Sequence, residues 1–259
     1  MKHTDLFNYR SLSEDELARY AKQGYLVLRN VLTQQGIQQM KNEAMEVWKA
    51  EKESFDPKKT WLDNSLLVDI HHQSPTVRNY YFEGPLVDIA EQIIGPNVKG
   101  ATSQLTFKMQ GNIKSFGWHQ DNGYGQLDPH TALTTLTALD LTNRENGCLW
   151  VLPGSHKDEG LRVVQTKEEK GRKSELDVSV DESLALPMEM EAGDCLIFDC
   201  WMLHKSDGNF SADRDRRILF LRYADADAVE VYNDRSPRLG RLLRGSTQFE
   251  EVRAYEASL

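Results

Sequence analysis

Between residues 98 and 226 the chain consists largely of short runs of aliphatic and β-branched residues, separated by turn-forming residues. The turns include Asn146-Gly147 and Pro153-Gly154-Ser155, which favour reversal of the chain. Runs of this length and spacing are typical of an all-β sandwich or barrel. The pattern therefore predicts a mainly β core. Its runs are residues 98–110, 131–142, 147–152, 185–190, 194–200 and 216–226.

The N-terminal part of the chain has helical patterns instead. Ser13 and Glu16 match a capping box, and Gly24 suits the end of the helix that they begin. Further helices are predicted after Thr33 and over residues 74–95, with a break near Gly84-Pro85. The first part of the chain is therefore expected to support the β core with helices.

The remaining segments are polar. Residues 157–183 are too polar for a core strand and are interpreted as a surface insertion. The tail from residue 233 is rich in arginine and acidic residues, and we expect it to wrap the surface with one helical stretch. The expected organisation is one domain of 259 residues, with helical support over about 1–97, a β core over about 98–228 and a tail over 229–259.

Charge and cysteine content exclude several classes of protein. A net charge of −9 and a pI near 5.3 argue against the broad basic surface needed to bind nucleic acid or an anionic membrane. No N-terminal apolar segment is present, so we expect a cytoplasmic monomer or homodimer that acts on a small molecule. The cysteines, Cys148, Cys195 and Cys200, lack CxxC spacing and are expected to be buried, reduced thiols.

The segment WHQDNGYG, residues 118–125, holds the main candidate for chemistry. His119 and Asp121 are two residues apart, so in a strand both side chains would point the same way. His204 follows another apolar run and could supply a third ligand. Two imidazoles and one carboxylate on one side of a metal suit non-haem Fe(II) oxygenases. The HxD pair alone is a weak signal. The other histidines are expected to be surface or satisfied core residues: His3, His71, His72, His130 and His156.

The wider context is more specific, because several motifs occur together and in one order. The chain resembles the phytanoyl-CoA dioxygenase family of Fe(II)/2-oxoglutarate oxygenases from about residue 15 to 228. The motifs that carry this resemblance are GYLVLRNVL, GPNV, WHQD, NGCLWVLPGSHK, AGDCLIFDCWMLHKSDGN and RRILFLRYADAD. The resemblance implies a double-stranded β-helix, with His119, Asp121 and His204 as iron ligands. It also implies Fe(II), 2-oxoglutarate and O2 as cofactor and co-substrates.

In this family an arginine a short distance beyond the distal histidine binds the far carboxylate of 2-oxoglutarate. Three residues compete for that place, namely Arg214, Arg216 and Arg217, and counting back from Tyr223 favours Arg216. The planar fork of arginine suits a carboxylate because it donates two parallel hydrogen bonds. By the same resemblance Ser206 reaches this carboxylate.

The pocket itself is expected to include one face of the first core strand. Gln104 and Thr106 alternate onto that face and are predicted to line the pocket, although ordinary strand polarity would give the same pattern. Leu67 and Leu136 stand where family members often have a lysine and a tryptophan. Four residues could either hold substrate near the mouth or simply pack there: Trp118, Asn122, Tyr124 and Trp150.

The expected reaction is hydroxylation of a small or medium-sized metabolite at an unactivated C–H bond, with release of succinate and CO2. Oxidative desaturation or cyclisation is an alternative outcome of the same chemistry. A non-catalytic binding or sensing module is a second alternative, which an intact set of ligands and an available arginine argue against. A zinc hydrolase is a third, but no HExxH motif supplies the general base that such enzymes use.

Overall fold

The computed structural model describes residues 3–52, 65–123, 126–157, 165–169, 172–178 and 180–259. Helices in these ranges are α1 (Glu14–Gln23), α2 (Gln34–Lys52), α3 (Pro75–Glu83), α4 (Pro85–Ile94) and α5 (Glu250–Ala254). A short 3-10 turn, Ile70–His72, precedes α3. None of the helices in the described ranges is long and apolar enough to cross a membrane.

Helix α1 begins and ends as its sequence predicts. The Ser13 hydroxyl accepts a hydrogen bond from the Glu16 N–H at 3.3 Å, and the Glu16 carboxylate accepts one from the Ser13 N–H at 3.0 Å. Gly24 closes the helix with a φ of 83°, a left-handed conformation that glycine adopts without a steric penalty. The predicted break between α3 and α4 is confirmed at Gly84, and Pro85 starts the second helix.

The strands follow the runs of aliphatic residues, with additional short strands between and after them. They are β1 (Tyr25–Leu28), β2 (Leu66–Val68), β3 (Val98–Lys108), β4 (Phe116–His119), β5 (Leu127–Asp128), β6 (Leu133–Ala138), β7 (Leu149–Val151), β8 (Gln165–Glu169), β9 (Arg172–Asp177), β10 (Leu186–Met188), β11 (Cys195–Asp199), β12 (His204–Ser206), β13 (Arg216–Asp225), β14 (Val229–Glu230), β15 (Ser236–Pro237) and β16 (Leu242–Arg244).

Two antiparallel sheets form the β core. The larger sheet has the strand order β1-β11-β6-β13-β3-β16, and β2 also pairs with β3. The smaller sheet has the order β10-β7-β12-β4. The predicted mainly β architecture with flanking helices is therefore confirmed.

Strand β13 shows how the layers are held together. Leu219, Leu221 and Tyr223 belong to the apolar cluster that includes residues of α3 and α4. Ile218 belongs to a second cluster with residues of both sheets, and Phe220 packs against it. Both faces of this strand are apolar because one faces the helices and the other faces the smaller sheet.

The polar segments deviate from expectation in part. Of the predicted insertion, residues 165–169 and 172–177 form the β8–β9 hairpin, and the Val178 N–H donates to the Trp118 carbonyl at 3.1 Å. Residues 158–164, 170, 171 and 179 lie outside the described residues. The tail contains the predicted helical stretch, α5, but β16 also pairs with β3, which alternation in so short a run does not reveal. The three cysteines are buried and free of disulfides, as predicted.

Candidate metal centre and pocket

The three predicted ligands meet at one point between paired strands. His119 ends β4 and His204 begins β12, and the two residues are direct partners across these antiparallel strands. The ligand atoms of His119, Asp121 and His204 all lie within 4.8 Å of one another. Asp121 begins a 3-10 turn beyond the end of β4, so the expectation that both HxD ligands lie on an extended strand is wrong for Asp121. Convergence is reached by the turn.

Both histidine rings are held by backbone carbonyls. His119 Nδ1 lies 2.7 Å from the Gly117 carbonyl oxygen, and His204 Nδ1 lies 3.0 Å from that of Met202. Because a carbonyl only accepts, Nδ1 carries the hydrogen in each ring. This arrangement fixes the ring orientation and leaves Nε2 as the ligand atom, as in many metal-binding histidines. Asp121 is held in a similar way, because its Oδ2 accepts a hydrogen bond from the Thr134 hydroxyl.

Electrostatics keep these groups in the protonation states that a metal requires. Burial, and then the charge of His204, lowers the pKa of His119, so its imidazole is neutral. Burial alone would raise the pKa of Asp121, but its interactions with His204 and with the Arg222 guanidinium, together with the hydrogen bond from Thr134, outweigh burial and lower that pKa. The site therefore presents an ionised carboxylate beside a neutral imidazole. Such groups bind divalent transition metals.

The three side chains lie in the wall of a cavity of about 380 Å³. The predicted pocket residues Gln104, Thr106, Ser206 and Arg216 also line it. Of the two leucines that replace the lysine and tryptophan common in the family, Leu136 lines the cavity. Leu67 is fully buried, and its neighbour Leu66 lines the cavity instead. The structure thus gathers all seven predicted site residues around one cavity.

The choice among the three arginines follows from where their side chains point. Arg217 forms a two-pronged pair with Asp140, at 2.7 and 2.8 Å. Arg214 lies near the surface and pairs with Glu145 at 2.7 Å. Arg216 lines the cavity, is only 2% exposed, and its Nε has no hydrogen-bond partner among the described residues. Burial lowers the pKa of Arg216 to about 10, so the guanidinium remains charged at neutral pH.

Two further basic residues, one beside the cavity and one in its wall, are not among the predicted site residues. Lys108 is the partner of Arg216 on β3, and its Nζ donates to the Ser206 hydroxyl at 2.8 Å. Burial, and then the charge of Arg216, lowers the pKa of Lys108 to about 6. Lys108 lies on the same alternating face of β3 as Gln104 and Thr106, so this alternation could have indicated that Lys108 lies near the pocket. Arg222 lines the cavity from β13, on the same face of the strand as Arg216.

The two tryptophans proposed as substrate contacts do not line the cavity. Trp118 is buried and donates to the Glu182 carboxylate at 2.9 Å, and Trp150 packs in the same cluster. The Lys205 ammonium lies over both indole rings. Asn122 is buried and accepts a hydrogen bond from Arg222. Tyr124 lies outside the described residues. The packing interpretation therefore describes the two tryptophans.

Two imidazoles and one carboxylate that converge in a cavity wall are the ligand set typical of non-haem iron oxygenases. The chain matches the phytanoyl-CoA dioxygenase family over residues 20–218, and it belongs to that family. Membership confirms the predicted enzyme class, a dioxygenase that uses Fe(II), 2-oxoglutarate and O2.

Individual relatives are distant. The chain is 25% identical over 258 residues to the ectoine dioxygenase of Sphingopyxis alaskensis, covering 92% of this chain and 81% of that protein. It is 26% identical over 161 residues to phytanoyl-CoA dioxygenase 1 of Oryza sativa subsp. japonica, covering 62% of this chain and 57% of that protein.

The solved structures show the fold. EctD from S. alaskensis with 2-oxoglutarate and 5-hydroxyectoine superimposes with a TM-score of 0.70 at 23% identity, covering 91% of this chain and 88% of that chain. The carbocyclase SnoK from nogalamycin biosynthesis superimposes with a TM-score of 0.67 at 21% identity, covering 91% of this chain and 95% of that chain. The predicted double-stranded β-helix is confirmed.

Proposed function

We propose that this protein hydroxylates a small or medium-sized metabolite at an unactivated C–H bond, with release of succinate and CO2. His119, Asp121 and His204 bind the iron. The observation that carries this assignment is the convergence of their ligand atoms within 4.8 Å in a cavity wall. Iron with 2-oxoglutarate and O2 supplies an oxidant able to remove a hydrogen atom from carbon.

The residues of the cavity suit both iron and 2-oxoglutarate. Carbonyl anchors on Nδ1 orient the two imidazoles for a metal, and the neutral form of His119 is the form that coordinates. Arg216 is a buried guanidinium whose Nε has no partner among the described residues, as expected for a group that receives a carboxylate. Lys108, the partner of Arg216 on the neighbouring strand β3, donates a hydrogen bond to the Ser206 hydroxyl.

The protein's own contribution is position and exclusion of water. Arg216 and Ser206 form a polar end of the cavity that orients the co-substrate carboxylate, and the buried Lys108 holds the Ser206 hydroxyl through a hydrogen bond. Gln104 and Thr106 line the adjoining wall from β3. Apolar side chains, including Leu136, Leu149, Ile218 and Phe220, close much of the remaining surface. The carbon that reacts is therefore set by which hydrogen of the substrate is held nearest the metal.

The test is succinate formation with Fe(II), 2-oxoglutarate and a library of small metabolites, followed by mass analysis of each product made under 18O2. Hydroxylation adds one oxygen derived from O2. Loss of two hydrogens would instead show desaturation or cyclisation. If no metabolite raises succinate formation above the uncoupled rate and the protein nevertheless binds iron and 2-oxoglutarate, the sensing-module alternative replaces this proposal.

A further inference from the structure

A second buried guanidinium lies in the same cavity wall. Arg216 and Arg222 lie six residues apart on β13, so their side chains leave the same face of the strand. They are 2% and 9% exposed, and both line the cavity. At roughly 3.3 Å per residue their Cα atoms are separated by about 20 Å, which is too far for one small anion to satisfy both.

The Arg222 side chain makes fewer hydrogen bonds than its donors allow. A guanidinium has five N–H donors. The Nη2 of Arg222 donates to the Asn122 side-chain oxygen, whereas its Nε is buried without a partner among the described residues. A buried donor left unpaired loses its hydrogen bonds to water without replacement, so structures rarely keep one without a reason.

Apart from Arg216, which is assigned to the co-substrate, the other cations that line the cavity already have partners. Arg238 donates to the Glu230 carboxylate at 2.8 Å and to the Ala101 carbonyl at 2.9 Å. Lys205 pairs with the Glu182 carboxylate at 3.0 Å. No carboxylate among the described residues lies within salt-bridge distance of Arg222, and the nearby Asp121 is committed to the metal. Arg222 is thus the cation in this wall whose charge is left for a ligand.

We propose that the substrate carries an oxyanion, such as a carboxylate, that Arg222 binds. This inference rests on the proposed function, and it adds the chemical class of the substrate. The anion accepts hydrogen bonds from Nε and from the nitrogens of Arg222 that Asn122 does not occupy. Arg216 binds the co-substrate carboxylate and Arg222 binds the substrate anion, so the two acids occupy different ends of the cavity.

The position of Arg222 also restricts the reacting carbon. Asn122, its hydrogen-bond partner, directly follows the metal ligand Asp121. An anion bound at Arg222 therefore lies beside the metal centre, and the carbon that is hydroxylated lies within a few bonds of the anionic group.

The first test observes both arginines directly. Protein labelled with 15N-arginine is loaded with Zn(II) in place of iron, and the Nε–H signals of Arg216 and Arg222 are identified by their loss in Arg216→Lys and Arg222→Lys. Addition of 2-oxoglutarate should shift the Arg216 signal. With 2-oxoglutarate saturating, acetate should then shift the Arg222 signal in a saturable way, and acetamide, its neutral analogue, should not.

The two arms separate the two proposals. Failure of 2-oxoglutarate to shift the Arg216 signal contradicts the assignment of Arg216 under the proposed function. An Arg222 signal that ignores acetate, or that responds equally to acetamide, overturns the present inference and leaves Arg222 with the role of balancing the charge of Asp121.

A second test uses turnover. Each acid in the metabolite library is paired with its primary amide, and only acids should stimulate succinate formation. Arg222→Gln should raise the apparent KM for the acid by roughly a hundredfold while leaving the 2-oxoglutarate requirement unchanged. Arg217→Gln, on the opposite face of the same strand, is the control and should leave both constants near wild type. Equal stimulation by the amides would refute the inference.

Discussion

Two clusters in this protein bring together two imidazoles and a carboxylate, and they differ in what the nitrogens contact. His119, Asp121 and His204 form one, and His71, His72 and Glu256 form the other. In each cluster the candidate ligand atoms lie within 4.8 Å of one another. Residue types and proximity are therefore the same in both, and neither distinguishes a metal centre from a set of hydrogen bonds.

In the first cluster the hydrogen bonds hold the imidazole rings at Nδ1, the nitrogen that does not face the other ligands. Backbone carbonyls bind Nδ1 of His119 and His204, and His204 Nε2 lies 3.6 Å from the Asp121 carboxylate, beyond a normal hydrogen bond. All three side chains are buried on or directly after strands of one sheet. The ligand atoms point toward a common centre without bonding one another tightly, which is the arrangement that a metal needs.

In the second cluster the carboxylate itself takes the hydrogen bonds. Nε2 of His71 lies 3.2 Å from both Glu256 oxygens, and Nε2 of His72 lies 2.7 Å from one of them. His71 Nδ1 is buried without a partner among the described residues, so no carbonyl fixes that ring. The cluster joins the C-terminal tail to the turn before α3. We interpret it as a tether for the tail and not as a metal site.

Removing one histidine from each cluster should separate the two roles most clearly. His204→Ala should lose tightly bound iron and all measurable succinate formation, because the metal keeps only two protein ligands. His72→Ala should retain both. Iron content by elemental analysis and succinate by chromatography are the measurements, with circular dichroism to confirm folding. Activity in His204→Ala would mean that the ligand assignment is wrong.

Replacing the carboxylates gives the next largest contrast. Asp121→Gly should abolish hydroxylation, and Glu256→Gln should leave the rate within about twofold of wild type, because Glu256 does not line the cavity. Wild-type turnover in high chloride should give no chlorinated product, because Asp121 occupies the coordination position that a halide would need. A chlorine isotope pattern in the wild-type product mass would contradict that role for Asp121.

A smaller effect is expected where the co-substrate binds. Arg216→Ala removes one side of a desolvated ion pair, which costs roughly 3 kcal/mol of binding or more. The apparent 2-oxoglutarate requirement should therefore rise by about a hundredfold. Arg214→Ala, which loses exposed pairs with Glu145 and Asp213, is the matched control. The reverse result would place the carboxylate at Arg214.

The sequence predicted the first cluster and not the second, and the reason is physical. His119 and Asp121 lie two residues apart in one short motif, and His204 follows the strongly aliphatic strand β11, so local patterns indicate where these side chains lie. His71 and Glu256 lie 185 residues apart, in a turn and a tail without periodicity. Nothing local predicts that contact. The lone histidines were assigned to surface or core roles, and that description fits His71 and His72.

The two arginines of β13 also show how far the cavity can be predicted from sequence. Counting back from Tyr223 favours Arg216 among three arginines, and Arg216 is the one that lines the cavity, although alternation gives no help because both faces of β13 are apolar. Arg222 lies on the same face as Arg216, but its burial depends on the neighbouring strands, which put Thr102 and Thr134 opposite it. Small side chains on adjacent strands leave room for a buried guanidinium. Sequence spacing alone does not show that room.

Metal stoichiometry and stability should sharpen the distinction between the clusters. Wild-type protein titrated with Co(II) should bind one equivalent tightly, and His204→Ala should bind none. Glu256→Gln should keep the single equivalent but lower the free energy of unfolding by about 1–2 kcal/mol, because two hydrogen bonds from imidazoles lose their charged acceptor. A second tightly bound equivalent of Co(II) that disappears in His72→Ala would show that the second cluster binds metal after all.

The smallest expected effect concerns pH. Burial lowers the pKa of His71 below its ordinary value of 6.5, and the attraction of Glu256 and Asp69 only partly offsets it, with His72 adding repulsion. The folded protein therefore keeps His71 neutral where the unfolded chain takes up a proton. Unfolded molecules bind more protons in this window, so stability falls as the pH decreases from 6.5 toward the folded pKa.

Urea denaturation of wild type and His71→Asn measures this effect. The variant should be less stable than wild type at pH 7.5, because it loses the bond to Glu256, and the difference should narrow as the pH falls below 6.5, because asparagine takes up no proton in either state. The comparison belongs within one buffer series, since several carboxylates of the protein also titrate on acidification. If the difference widens at low pH instead, His71 is protonated in the folded protein and the ion pair with Glu256 outweighs burial.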